Sequence, residues 1–233
     1  MTSLVLLDLD GTLLDGSGLP AAMRATCAAL AADLPGVSAD DLVAANTAAW
    51  QRLWPDVEDD YMLGGRRGDE VGRDPWRATL EACGLEGDAV VDRAVAIWAE
   101  EERASFRLFP DVLPALEALA AAGIRVGMVT NGASVVQREK LDATGLTGRL
   151  DPLIISSEVG VKKPDPAIFE VALARGGVLA AEALLVGDHL WHDVAGAMAV
   201  GIRGVWLDRR GTGREADQPQ PDATIRSLEA LAV

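Results

Sequence analysis

The chain has 233 residues, 49% of them hydrophobic, which suits one large domain, or one domain with an insertion, around a packed core. With 21 Lys and Arg against 36 Asp and Glu its formal net charge is −15, an argument against nucleic acid or an anionic membrane as partner. The same excess would repel an anionic substrate from most of the surface, so a phosphate site must be locally positive or hold a metal.

The first predicted element opens Leu4-Val-Leu-Leu-Asp-Leu-Asp-Gly-Thr-Leu-Leu-Asp15. A short apolar run closed by acid, acid and glycine reads as a buried parallel strand. Ligands of open α/β sheets bind at the carboxyl ends of such strands, which puts Asp8 and Asp10 where a site belongs. At spacing i, i+2 the two carboxylates can face one way, and side by side they repel unless one takes a proton or a cation joins them. These acids also interrupt the apolar run, and no basic stretch precedes it, so it does not read as a signal peptide. No uncharged apolar run is long enough to span a bilayer.

After the turn-rich Asp15–Pro20, the pattern from Ala21 to Ser105 is helical and rich in Ala and Leu. Helices are expected near 20–33, 39–53, 69–83 and 88–105, with breaks at Leu34-Pro-Gly36, Gly64-Gly65 and Gly84–Gly87. This reads as an all-helical insertion. Cys27 and Cys83 read most simply as small buried residues of a reduced, cytoplasmic protein, with a disulfide between them as the alternative. Trp50, Trp54, Trp76 and Trp98 read mainly as helix-packing residues, one of them a candidate for the substrate face. Arg66, Arg67, Arg73 and Arg77 either meet an anionic substrate or lie in solvent against the many acids.

From residue 106 strands and helices alternate. Asp111 is expected to cap a helix Val112–Ala122, and a strand Ile124–Val129 to stop at Thr130-Asn-Gly132. A helix Ser134–Thr144, a strand Leu153–Ile155 and a loop to Pro166 follow, where Asp165 as N-cap and Pro166 at N1 start the helix Ala167–Arg175. A strand Ala183–Val186 runs to Gly187-Asp188, then a helix Val194–Val200, a strand Arg203–Leu207, a polar tail and a last helix Ile225–Ala232. Such alternation indicates βαβ units. The expected fold is α/β, a three-layer doubly wound parallel sheet of residues 1–15 plus 106–233, with residues 16–105 as an inserted helical lid.

Lysine occurs only at Lys140, Lys162 and Lys163; arginine is the cation everywhere else. Four strand ends carry the polar residues: Asp8 and Asp10, Thr130 and Asn131, Lys163, and Asp188 with Asp193. In a doubly wound sheet these converge on one edge. Acids gathered there need a compensating cation, and lysine, a compact point charge, fits among small ligands better than the broad guanidinium fork.

Four segments, Asp8-Leu-Asp-Gly-Thr-Leu, Val129-Thr-Asn-Gly, Lys163-Pro-Asp-Pro and Gly187-Asp-His-Leu-Trp-His-Asp193, occur in an order and at separations that resemble the haloacid dehalogenase (HAD)-like hydrolase superfamily, in its phosphatase branch with a helical cap of the first insertion type. The resemblance implies Mg²⁺-dependent hydrolysis of a small phosphorylated metabolite, by a monomer or homodimer. It implies Asp8 as the nucleophile that becomes an aspartyl-phosphate and Asp10 as the general acid and base. Thr130, with the amides of Asn131 and Gly132, would hold phosphoryl oxygens, and Lys163, chosen over Lys162 because it directly precedes proline, would balance charge. Mg²⁺ would lie among Asp8, the backbone carbonyl of Asp10, Asp188, and Asp193, the last through water or by orienting Lys163. Hard oxygen ligands suit that ion.

Other chemistries on the same fold are weighed against particular residues. A haloacid dehalogenase lacks the second acid, whereas Asp10 is present. A phosphonatase needs a lysine in the insertion, where none occurs, and a phosphomutase relies on polar or basic residues there. A non-catalytic binding module would have lost one of Asp8, Asp10, Lys163 and Asp188. His189 and His192 flank Asp188 but lack the further nitrogen or sulfur ligands of a zinc site, and read as loop or helix-start residues.

Overall fold

The computed structural model describes residues 1–66 and 68–231. Arg67 and Ala232 lie outside the described residues. The chain forms two compact units, Met1–Asp15 with Arg107–Val233, and Gly16–Phe106.

The first unit is built on a six-stranded, wholly parallel sheet in the order β3-β2-β1-β4-β5-β6. β1 (Leu4–Leu7) lies at its centre, hydrogen-bonded to β2 on one side and β4 on the other, with no residue more than 1% exposed. Burial on both faces explains why its sequence is continuously apolar rather than alternating.

The chain leaves β1 for the second unit, whose helices are α1 (Leu19–Ala31), α2 (Ala39–Leu63), α3 (Gly68–Ala82) and α4 (Asp88–Ser105). Their shared core includes Cys27, Leu30, Leu42, Trp76 and Leu80, with Trp98 packed against it. Both cysteines are free thiols. Ser38 caps α2 by accepting from the Asp41 amide. Helix α2 does not end near residue 53 as expected but runs through Pro55 to Leu63. A proline inside a helix removes one hydrogen bond and is costly. Across it runs a row of tilted and edge-on aromatics, Trp50 to Trp54 at 5.8 Å and Trp54 to Tyr61 at 5.5 Å, which holds the two halves to one face. Three arginines of this unit are engaged by acids: Arg66 with Asp74, Arg73 with Asp88 and Asp92, and Arg77 with Asp88.

Back in the first unit come α5 (Val112–Ala121), β2 (Arg125–Thr130), α6 (Ser134–Ala143), β3 (Leu153–Ile155), α7 (Ser156–Val159), α8 (Pro166–Gly176), β4 (Ala183–Gly187), a wide turn Leu190–Ala195 leading into α9 (Gly196–Ala199), β5 (Arg203–Leu207) and β6 (Ala223–Ile225). From β1 the chain steps outward through β2 to β3, then returns across the sheet to β4 and steps outward the other way. Right-handed crossovers in opposite directions place helices on opposite faces, giving three layers. Leu4 and Leu6 pack with Ile168 and Phe169 of α8 and Ala197 of α9, so alternation turns Val5 and Leu7 to the other face.

Two expectations fail at the C-terminal end. Asp111 has helical backbone angles and its side chain caps nothing on α5. Its carboxylate instead accepts from Arg209 at 3.0 and 3.1 Å, from the Ser227 hydroxyl at 2.9 Å and from the Leu228 amide at 2.7 Å. The segment expected as helix Ile225–Ala232 is accordingly split: Ile225 ends β6, and Ser227 caps a single tight turn, Leu228–Ala230.

Candidate functional site

Asp8, Thr130 and Asp188 lie at or just beyond the carboxyl ends of the central strands, on both sides of β1 where the strand order reverses, while Lys163 comes from the loop after α7 and Asp193 from the turn after β4. Asp8 follows β1, Thr130 ends β2, and Gly187 ends β4 with Asp188 next.

Lys163 is 3% exposed and its Nζ donates to Asp8 Oδ1 at 2.6 Å and to Asp193 Oδ1 at 2.5 Å. The Asn131 side chain fixes the lysine's backbone, accepting from the Lys163 amide at 2.8 Å and donating to its carbonyl at 3.0 Å. Oxygens of Asp8, Asp188 and Asp193 all lie within 4.8 Å of one another, with Asp188 on the open side.

Two glycines make the crowding feasible. A Cβ at Gly187 would fall 2.4 Å from Asp193 Cβ, Cγ and Oδ2. One at Gly11, whose φ is +84°, would fall 2.3 Å from Asp188 Oδ2. The Asp193 carboxylate is further held by the His189 amide, donating to Oδ2 at 3.0 Å. His189 also caps the wide turn, its Nδ1 accepting from the His192 amide at 3.1 Å, and the two rings stack 4.0 Å apart. The histidines therefore serve the turn that carries Asp193.

Burial pushes the Asp8 carboxyl up to about 8; Lys163 opposes the rise, and the Asp193 and Asp188 charges add to it. Burial also works against a charged Lys163, but Asp193 and Asp8 outweigh it and hold the ammonium protonated, above its ordinary range. Partial burial and the Asp193 charge raise Asp188. With Lys163 charged, full ionisation of the three carboxylates would leave two surplus negative charges in one small volume, which is the form a bound cation favours. A divalent cation with a preference for oxygen ligands fits that surplus, and the exposed Asp188 leaves room for water in its shell.

Asp10 does not join this cluster. The strand ends at Leu7, and the chain then winds into a turn in which the amides of Thr12, Leu13 and Leu14 all donate to the Leu9 carbonyl. Strand alternation therefore no longer governs Asp10, and the expected shared facing with Asp8 is replaced by separate partners. Lys140 Nζ, on α6, reaches both Asp10 oxygens at 2.8 and 2.9 Å. Gln137 Nε2 donates to Asp10 Oδ2 at 3.0 Å, to Thr130 Oγ1 at 2.7 Å and to the Asn131 carbonyl at 3.0 Å. Neither Lys140 nor Gln137 was singled out as a site residue. The rarity of lysine was the one signal that could have found Lys140. The Gly132 amide donates to Ser156 Oγ at 2.9 Å, which engages it inside the fold rather than toward a ligand.

Comparison with known proteins agrees with this geometry. Residues 2–201 match the family model described as haloacid dehalogenase-like hydrolase. Over 156 residues the chain is 36% identical to a phosphoserine phosphatase of Thermus thermophilus, covering 67% of this chain and 61% of that one. Over 140 residues it is 37% identical to a glyceraldehyde 3-phosphate phosphatase of Methanopyrus kandleri, covering 60% and 59%. The chain thus spans about three-fifths of the length of these curated relatives. A solved 2-haloacid dehalogenase from Pseudomonas syringae pv. Tomato superimposes with a TM-score of 0.71 at 31% identity, covering 98% of this chain and 95% of that one. Strand order, site position and the match over residues 2–201 together make the chain a member of the haloacid dehalogenase-like hydrolases.

Proposed function

We propose that the protein is a Mg²⁺-dependent phosphatase that hydrolyses a small phosphorylated metabolite through an aspartyl-phosphate on Asp8. The observation that carries this reading is the buried Asp8–Lys163–Asp193 arrangement with Asp188 beside it, separate from a second acid, Asp10, that is free of the cluster.

In the first step an Asp8 oxygen forms a bond to phosphorus while the bond to the leaving oxygen breaks, and Asp10 delivers a proton to that oxygen. In the second, Asp10 takes a proton from water as the water oxygen bonds to phosphorus and the Asp8 carboxylate is released. Thr130, through its hydroxyl, and Asn131, through its amide, hold phosphoryl oxygens. Lys163 offsets the charge that collects on Asp8 and the phosphoryl group. Mg²⁺, held by Asp8, Asp188, Asp193 and the Asp10 carbonyl, would supply charge neutralisation and alignment for phosphoryl transfer. Gly132, whose amide is taken by Ser156, is left out of the phosphate grip. The helical unit would act as a mobile cap that sets specificity, in a cytoplasmic monomer or homodimer.

The names of the similar proteins include both phosphatases and dehalogenases, and the likeness to a 2-haloacid dehalogenase favours the second reading. An ester on Asp8 that needs no leaving-group proton would make Asp10, with its Lys140 and Gln137 contacts, superfluous. The test is release of p-nitrophenol from p-nitrophenyl phosphate with and without Mg²⁺, beside halide release from 2-chloropropionate. Mg²⁺-dependent turnover of the first alone is the expected result. Halide release without phosphatase activity would replace the proposal with the dehalogenase reading.

A further inference from the structure

Gln137 lies on the first turn of α6, is 1% exposed, and has one terminal nitrogen in contact with three oxygens: Thr130 Oγ1, Asp10 Oδ2 and the Asn131 carbonyl. A buried glutamine satisfied by backbone would be an ordinary core residue. This one instead joins two side chains to which the proposed reaction gives different tasks.

The orientation of its amide is fixed by chemistry. Two of these oxygens, those of the Asp10 carboxylate and the Asn131 carbonyl, have only lone pairs to offer, so they can converge only on the NH₂ end, whose two hydrogens are shared among the three contacts. That has a consequence for Thr130. An amide nitrogen accepts no hydrogen bond, so with Nε2 2.7 Å from its oxygen the Thr130 hydroxyl must point its own hydrogen elsewhere. The Asn131 carbonyl, at 3.4 Å, is a weak competitor for that hydrogen. A phosphoryl oxygen arriving at the strand ends would take it. The same NH₂ group tethers Asp10, whose other support is the ion pair to Lys140.

We propose that Gln137 is a positioning residue that turns the Thr130 hydroxyl toward the phosphoryl group and holds Asp10 at a fixed distance from that grip. This rests on the roles given above to Thr130 and Asp10. Its effect is greatest where the leaving group needs a proton, because a proton donor out of place costs less when the leaving oxygen departs readily as an anion.

The experiment compares kcat on p-nitrophenyl phosphate and on phenyl phosphate, whose phenolate leaves far less readily, in wild type, Gln137→Met and Asp10→Asn, with inorganic phosphate as a product inhibitor. Methionine keeps the length and bulk of glutamine but donates nothing. Gln137→Met is expected to lower kcat on phenyl phosphate by about 10- to 100-fold but only by about threefold on p-nitrophenyl phosphate, and to weaken inhibition by inorganic phosphate about 10-fold. Should that variant not fold, Gln137→Asn, which keeps the amide a methylene short of Asp10, carries the same comparison. Asp10→Asn must show the same preference for the better leaving group. If it does and the Gln137 variants slow both substrates equally, or neither, the inference is overturned and the reading of Asp10 stands. If Asp10→Asn shows no such preference, the acid–base reading itself fails.

Discussion

Lys163 has two carboxylate partners in a buried setting, so its removal leaves acids without compensation rather than merely losing a contact. Lys163→Met is expected to cost on the order of 3–5 kcal/mol of folding stability, measured by urea denaturation, and to abolish turnover. Gly187→Ala tests the same crowding from the backbone side. A methyl 2.4 Å from three Asp193 atoms has no room, so that carboxylate must shift away from Lys163. A loss of at least about 100-fold in kcat is expected, without a matching rise in KM for the substrate. Unchanged kinetics would mean that the position of Asp193 does not matter. That Asp8, Lys163, Asp188 and Asp193 would converge was legible in their strand-end placement, whereas their roles, and those of Asp10 and Thr130, came only from the motif resemblance. Lys140 and Gln137 were not legible, because they lie within a helix, where nothing local separates a residue facing a site from one facing solvent; only the fold brings α6 against the turn after β1.

At the scale of elements, the Asp111 carboxylate joins the start of α5 to the Arg209 loop and to the turn after β6. Burial alone would raise its pKa, but hydrogen bonds from Arg209, the Leu228 amide and the Ser227 hydroxyl outweigh it and hold the carboxyl below its ordinary value of 3.8. A folded-state value below the unfolded one means that the ionised group stabilises the fold at neutral pH, and that this contribution disappears as the pH falls from about 4 through the folded value. Asp111→Asn is therefore expected to be less stable than wild type at pH 7, by about 1–3 kcal/mol, with the gap closing as both proteins are acidified. A gap that widens in acid would contradict the assignment. This region also shows where pattern reading stops. The three-residue β6 is too short for periodicity to register, and the choice between N-cap and long-range acceptor for Asp111 is decided by residues 209 and 227–228, far along the chain. Pro55 misled for a different reason: its local cost is real, but tertiary packing along α2 exceeds it.

For the whole molecule, the parallel sheet and the helical insertion could be read from chain order because alternating strands and helices admit few arrangements. The β1–β2–β4 arrangement then brings together acids separated by 185 residues of sequence. The crowding of three carboxylates against one ammonium makes a prediction about the folded state as a whole. Mg²⁺ is expected to raise the melting temperature of wild type, with about 2–3 kcal/mol of stabilisation at a hundredfold excess over Kd, and to leave Asp188→Asn nearly unmoved. A shift of equal size in both proteins would place the ion elsewhere. The most direct measurement concerns Asp8 itself. Protein quenched during turnover of p-nitrophenyl phosphate in Mg²⁺ and treated with borohydride, which reduces an aspartyl-phosphate to homoserine, can be digested and the peptides weighed. The account predicts homoserine at position 8 in wild type and at no other aspartate. Recovery of an unmodified Asp8 from enzyme trapped in steady state, with the label on another residue, would contradict it.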